Sequence, residues 1–397
     1  MTWNIPLPHP IRSPSPPRWS LWWRVLVLCC IVTAVSGTVL WFWLQDSRTV
    51  LWTLGIIALI TVIFTLIAGW MLFRSGVDEE HAQGLMAYNR LQEFEWQRWA
   101  QQAVHVSGWH AVFAPQARLS MQPGEPVTND IPLLLPSFPG YRWLSEEVIM
   151  SLLTALQAVT SRWPIEVSLP DDADHNEWRQ FADCWQQAGL PMNRLAGQTA
   201  SVSSYDSAIS SWLDAPLTYR ARLVIVKYWT GSGEHTEGVI ACLLTPRDHA
   251  ADIPVRCSLH RTMNVSPGDE AASFSQFLHY QPLTSAMAGL WTDRNSQPQA
   301  AQLVMVHSQR LKSDEISAAE TETGIPAVVI SPAAPEQHWL PHWLGQTGPC
   351  ADWFALTLMM SMAEHNGGVQ CGLLSGASPS SQTWILSSVS AGAFSDD

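Results

Sequence analysis

Arg222-Leu223-Val224-Ile225-Val226-Lys227-Tyr228-Trp229 leads into Thr230-Gly231-Ser232-Gly233 and then into a second apolar run from Glu237 to Leu244. Two runs rich in β-branched and aromatic side chains around a glycine-containing turn predict an antiparallel hairpin. Toward the N-terminus, Asp174 to Ala188 reads as a helix ended by Gly189 and Pro191, and Ile165 to Leu169 as a strand. Leu144 to Val159 reads as a helix with Ser145 as N-cap and Glu146 and Glu147 in its first turn. Before it, Val104-His105-Val106 and Ala111-Val112-Phe113 read as two short strands. Toward the C-terminus, Leu303-Val304-Met305-Val306 and Ala327-Val328-Val329-Ile330 read as strands, Ala351 to His365 as a helix, and Trp384-Ile385-Leu386 as a closing strand. No short-period repeat accompanies this alternation, which predicts a layered α/β domain over residues 103–397.

The N-terminal part has a different character. Val25 to Leu44 contains no charge, and after Gln45-Asp46-Ser47-Arg48 a second uncharged stretch runs from Thr49 to Phe73. Each exceeds the roughly 20 apolar residues that cross a bilayer as a helix. Trp22, Trp23, Trp41, Trp43, Trp52 and Trp70 lie near the ends of these stretches, where amphipathic rings favour the headgroup region. A cleaved leader fits poorly, since the first stretch ends in Trp-Phe-Trp and a second span follows at once. Residues 21–74 therefore read as a transmembrane helical hairpin, preceded by a Pro-rich tail (1–20) and followed by a juxtamembrane helix (75–102). That last helix carries Leu85, Tyr88, Leu91, Phe94, Trp96 and Trp99, read as packing on its own domain. Arg12, Arg18 and Arg24 before the first span and Arg74 after the second place both termini in the cytoplasm by the positive-inside rule, at a bacterial inner membrane.

Charge narrows the partners. The chain of 397 residues has a formal charge of −13, and only Lys227 and Lys312 of its 21 basic residues are lysines. Residues 1–74 hold five arginines against Asp46, so the remainder carries −17. Such a body repels phosphates, which excludes nucleic acid as a partner. Cys29 and Cys30 fall in the first span; Cys184, Cys242, Cys257, Cys350 and Cys371 lie downstream, an odd number without a CxxC pair. That suits reduced thiols on the cytosolic side.

Chemical motifs are sparse. Neither lysine follows a glycine-rich loop, and Gly231-Ser232-Gly233 is explained by the hairpin turn, so no phosphate-binding loop or other cofactor site is expected. His338 and His342 are four apart but Pro341 intervenes, which spoils a helix-borne metal pair; no metal is expected. His235, His249 and His260 read as surface groups, and Asp171-Asp172-Asp174 as a solvated loop. The tryptophans outside the spans, among them Trp96, Trp99, Trp109, Trp212, Trp229, Trp339, Trp343 and Trp353, suit core packing or a protein interface.

From Glu237-Gly238-Val239-Ile240-Ala241-Cys242-Leu243-Leu244-Thr245-Pro246 onward the order of segments resembles the second half of a β-ketoacyl synthase, a thiolase-fold enzyme. Leu283 to Trp291 resembles that family's following helix. Val304-Met305-Val306-His307 is similar to its strand ending in the first catalytic histidine. Leu344-Gly345-Gln346-Thr347-Gly348 is similar to its Leu-Gly-His turn, and Trp384–Ser388 with Gly392 to its closing strand. The resemblance covers roughly residues 220–392 and implies a thiolase-like α/β fold that pairs as a homodimer. It makes His307 the candidate catalytic residue, as a base or oxyanion donor. It also implies that the activity is impaired. Gln346 stands where the second histidine belongs, an amide is no acid or base near neutral pH, and no cysteine occupies the family's small-residue setting. The plan of the whole chain resembles accessory membrane proteins of enterobacterial type VI secretion clusters, which implies secretion-system or other membrane proteins as partners beside the bilayer. The reading is a non-catalytic interaction protein, a pseudoenzyme on a membrane anchor; the alternative is a membrane-associated acyl-transfer or acyl-binding protein.

Overall fold

A computed structural model describes residues 3–6, 8–11, 19–44, 47–114, 131–202, 204–215, 219–246, 253–321, 334–376 and 383–392. The chain divides into two units, Ile5–Glu95 and Met1–Asn4 with Trp96–Asp397. In the first, α1 (Trp19–Leu44) and the start of α2 (Ser47–Ala100) are both long and apolar enough to cross a membrane. They touch closely. Trp22 and Trp23 lie 6.5 and 5.9 Å from the Phe64 ring, and a Cβ added to Gly37 would fall 2.3 Å from Thr53. Small residues allow such approach where no hydrophobic effect drives helices together. Nothing in Arg74–Asp78 breaks α2, so the span and the following segment form one helix of 54 residues, about 80 Å long. Along it Tyr88, Leu91 and Phe94 are exposed. From the Pro-rich leader, His9 donates its backbone N–H to Asn89 and accepts from the Asn89 amide.

The second unit is built from two equivalent halves. In the first half come β1 (Ala103–Phe113), α3 (Tyr141–Ser151), α4 (Leu153–Thr160), β2 (Ile165–Ser168), α5 (His175–Gln187), β3 (Leu195–Thr199), α6 (Tyr205–Asp214), β4 (Ala221–Tyr228) and β5 (Gly238–Thr245). The second half runs β6 (Cys257–His260), β7 (Met263–Val265), α7 (Glu270–Tyr280), β8 (Met287–Thr292), α8 (Gln297–Thr321), β9 (Glu336–Trp339), α9 (Leu340–Leu344), α10 (Ala351–Asn366), β10 (Val369–Ser375) and β11 (Trp384–Ala391). Strand β2 lies between parallel β3 and β4, β4 pairs antiparallel with β5, and β5 with β1. The second half repeats this order: β8 between parallel β9 and β10, β10 antiparallel to β11, and β11 to β6. The two first strands then pair antiparallel, Ala103–Val106 against Cys257–His260, joining both halves in one sheet.

Side-chain alternation on the hairpin sorts the cores. Val224 and Val226 on β4, with Ile240, Cys242 and Leu244 on β5, face a core shared with α6 and α10. Leu223, Ile225, Val239, Ala241 and Leu243 face a second core with α3, α4 and α5. Period-2 geometry thus places helices on both faces, which is why Leu223–Val226 and Val239–Leu244 are apolar without a break. Helix α10 packs on β5 and β6 as well as β10 and β11, so it lies between the halves, buried along nearly its whole length. The result is a mixed, layered α/β body.

Several expectations need correction. The two short N-terminal strands are one, β1, with a bulge between Val106 and Gly108. A Cβ on Gly108 would meet Ala155 at 3.0 Å and Leu152 at 3.2 Å, so glycine there lets the outer helices approach. The first helix of the body starts at Tyr141 after Gly140, whose φ is 110°, and breaks at Leu152; Ser145 is one turn in, buried, its hydroxyl donating to the Tyr141 carbonyl. Leu303–Val306 is helical. Ala300, Leu303 and His307 are buried and Met305 exposed, a 3.6-residue period that the four-residue apolar run conceals. Leu283–Trp291 is a short 3-10 turn followed by β8, a strand flanked on both sides, rather than a helix. Trp3, in the leader read as a tail, is buried: its indole N–H donates to the Thr262 carbonyl and its ring lies 5.6 Å from Trp99. His260 is also buried, bonded to Ser390 Oγ at 2.9 Å. Ala327–Ile330 and His249 lie outside the described residues.

Candidate functional site

The hydrogen bonds of the hairpin loop define one wall of a cleft. Glu237, buried, accepts backbone N–H groups from Thr230, Gly231 and Leu135. Thr236 donates its hydroxyl to the Leu344 carbonyl and its N–H to the Gln346 carbonyl. The loop after β4 is thereby fastened to the turn before α10. Between them opens a cleft of about 380 Å³, bounded by Pro170 to Asp172 after β2, Ile225 to Thr230, Val202 before α6, and Pro349 with Cys350 before α10.

Topology accounts for this opening. From β2 the chain crosses to β3 through α5 in the outer core, whereas from β3 it crosses back to β4 through α6 in the inner core. The loops leaving the carboxyl ends of the neighbouring strands β2 and β3 thus depart to opposite faces, and the cleft lies beside this switch point, the kind of place where open α/β sheets bind ligands.

Lys227 reaches the cleft under two aromatic faces, 4.4 Å from the Phe138 centroid and 4.6 Å from Tyr141. Its ammonium donates to Asp172 at 2.5 Å, and the Tyr141 hydroxyl donates to the other oxygen of that carboxylate. Burial opposes the charge of Asp172, but these two donors outweigh it and hold the carboxyl below its usual range. The acidic run after β2 is therefore partly a structural clasp, not only a solvated loop. Asp174 separately caps α5 in a capping box with Glu177.

Behind the cleft the N-termini of the two central helices meet. Asp352, in the first turn of α10, accepts the backbone N–H of Tyr205, the first residue of α6, at 2.9 Å. Burial pushes the Asp352 carboxyl up to about 6 in spite of that bond and the Trp353 N–H. Cys350, at the N-cap of α10, is the cysteine on the cleft wall. Burial first, then the charges of Asp352 and Asp171, push its thiol up to about 12. A nucleophilic cysteine needs the opposite shift, toward thiolate at neutral pH. Cys242 and Cys371 are likewise pushed up to about 12 by burial. All seven cysteines are free thiols.

His307 projects from α8 into the second half, 3% exposed, with Nε2 3.0 Å from the Thr284 carbonyl oxygen. It does not line the cleft, and Gln346 is exposed on the neighbouring turn. His338 and His342 divide between β9 and α9. His338 stacks on Trp291 at 4.4 Å, and burial lowers its pKa against the pull of Glu336. Among the described residues no cluster of His, Cys, Asp and Glu could hold a metal. Cys350, Asp352 and Tyr205 were not legible as a group, because only the pairing of the halves brings residues 205 and 352 together. A weak signal was present: Cys-Ala-Asp at the start of a helix whose next eleven residues, Trp353 to Ala363, are apolar or small.

Solved structures similar to this body are ketosynthases. OleA of Xanthomonas campestris is 10% identical, with 73% of this chain and 98% of that chain covered at a TM-score of 0.41. The 3-oxoacyl-(acyl carrier protein) synthase III, FabH, of Xanthomonas oryzae is 11% identical over 73% and 99% at 0.40. The type II polyketide ketosynthase complex AntDE:AntF is 11% identical over 73% and 100% at 0.43. No protein-family profile and no curated protein sequence matches the chain.

Proposed function

We propose that this is an inner-membrane interaction protein that displays a non-catalytic, thiolase-like body on the cytoplasmic side. One observation carries the reading. At the junction of the two central helices, the group in contact with the α6 N-terminus is the Asp352 carboxylate, and the thiol beside it is held protonated. A thiol without thiolate character supplies no nucleophile, and both oxygens of the Asp352 carboxyl are engaged by the backbone N–H groups of Tyr205 and Trp353. His307 is bonded to the Thr284 carbonyl in the second half and does not line the cleft. The topology, with both termini cytoplasmic, follows from the arginine bias around the spans. Secretion-apparatus subunits, of the type VI class by the resemblance of the whole chain, are the partners this reading names, with a second copy of the chain in the assembly.

The test is affinity purification of the full chain from membranes in mild detergent, followed by mass spectrometry of the intact proteins. Stoichiometric recovery of secretion-apparatus membrane subunits, with an unmodified body, is the expected result. Recovery of the chain alone, with an acyl group on one of its cysteines and thioester turnover in solution, would overturn it.

A further inference from the structure

We infer that the cleft between β2 and β4 recognises a protonated amine or guanidinium carried on a short apolar stem. The inference rests on reading this cleft as a recognition site rather than a reaction site, and it names what is recognised.

The argument begins with the equivalent place in the second half. There Asp293, just after β8, directs one carboxylate oxygen at the N–H groups of Asn295 and Ser296 and the other at the N–H and hydroxyl of Ser375 at the end of β10. Four donors thus converge on one carboxylate, itself 9% exposed. In the first half, Asp172 is drawn instead to Lys227 and Tyr141, and its side chain stays 60% exposed. The carboxylate near the end of the equivalent strand is therefore buried and fully engaged in one half and largely exposed in the other.

The chemistry of the first-half cleft is directional. Its cation, Lys227, has a side chain 6% exposed, lies beneath two π faces, and is neutralised by Asp172. An anionic ligand would have to displace Asp172 and strand its charge beside Asp171, in a chain whose residues 75–397 carry −17. Asp171 is exposed and has no basic partner among the described residues, and its charge is felt at Cys350 across the cleft. The wall between is apolar: Pro170, Val202, Val226 and Pro349. A cation with a few methylene groups satisfies both parts, its charge at the Asp171–Asp172 rim and its stem against that wall. A volume near 380 Å³ is at the small end of ligand sites, which suits a single side chain or a small amine.

The full chain in lipid nanodiscs is tested by ligand-observed saturation-transfer NMR with n-butylammonium, agmatine and N-acetyl-arginine methylamide, against butanol and butyrate. The amines are expected to bind, and butanol and butyrate to bind about tenfold more weakly or not at all. Asp171→Asn, at an exposed position that leaves the fold intact, is expected to weaken the amines about three- to fivefold. Asp171→Lys is expected to abolish their advantage over butyrate. Binding of the arginine amide along with the free amines assigns the site to a basic side chain of a partner protein; exclusion of the arginine amide alone assigns it to a small-molecule amine. Equal binding of cationic, neutral and anionic probes, or no transfer to any amine at about 10 mM, overturns the inference. Thioester turnover by the same preparation would overturn the non-catalytic reading while leaving an observed amine preference standing.

Discussion

Asp352 and Tyr205 belong to different halves of the body, yet the carboxylate of one accepts the backbone N–H of the other at 2.9 Å. The bond caps α6 from α10, so the central helix of the first half is completed by the second half. An acid so deeply buried pays desolvation that a helix N-terminus only partly offsets, which is why its pKa rises instead of falling.

The pH dependence follows. The folded pKa of Asp352 is raised from 3.8 to about 6, so the folded state holds this proton more tightly than the unfolded chain does. Its contribution is fully present below about pH 4 and is lost as pH rises through about 6, on the order of 3 kcal/mol at most. Asp352→Asn keeps an acceptor for Tyr205 and removes the charge. Denaturant unfolding should find the variant more stable than wild type at pH 7.5 and no more stable at pH 4. Parallel pH profiles for the two proteins would refute the assignment.

Cys350 gives a chemical readout of the same junction. With its thiol pushed up to about 12, roughly one molecule in ten thousand is thiolate at pH 8. Iodoacetamide should modify Cys350 slowly in the folded protein and rapidly after denaturation, as followed by peptide mass mapping. Fast modification at pH 7 would indicate an activated cysteine and remove the main support for a non-catalytic body.

Gly238 opens the second strand of the hairpin under the ring of Phe113. A Cβ there would approach that ring to 2.5 Å and the Val112 carbonyl oxygen to 3.1 Å. Phe113 cannot yield freely, because its ring stands edge-on to Phe354 at 4.9 Å in the central helix. Gly238→Ala should cost about 1–3 kcal/mol through overpacking, seen as a lowered melting temperature. Gly69→Ala, where an added Cβ meets nothing within 4 Å, is the matched control and should be nearly silent.

Gly37 plays a comparable part in the membrane unit, where Thr53 lies within 2.3 Å of the position its Cβ would take. Gly37→Leu should separate α1 from α2. Cysteine pairs introduced at Ala34 and Ile56 on the two helices would report this as a loss of oxidative cross-linking, if they cross-link efficiently in the parent protein. Unchanged cross-linking would show that the hairpin does not depend on this approach.

Sequence reading located the hairpin well because β-branched apolar runs and turn chemistry agree there, and it located α5 because Asp174, Glu177 and Gly189 mark both ends. The two spans were legible from length alone. Around residue 304 it failed, since four apolar residues fit a strand while the burial period that makes α8 helical extends over Ala300, Leu303 and His307. Leu283–Trp291 failed for a related reason. Whether Met287–Trp291 extends or coils is decided by β10 and β9 on either side, and local propensity contains neither. The cleft was out of reach for a deeper reason. Its residues come from four separate stretches, and what opens it is the opposite sides taken by α5 and α6.

The pairing of Ala103–Val106 with Cys257–His260 joins two halves that are each one uninterrupted stretch of chain. A gene cut in the connection from Thr245 to Cys257 would encode one fragment carrying both long apolar helices and a second in which, among the described residues, no helix is long and apolar enough to cross a membrane. Neither fragment holds a complete inner core, because α6 belongs to one and α10 to the other. Their reunion would then await production of that second fragment, making assembly of the whole body something an experimenter can switch on.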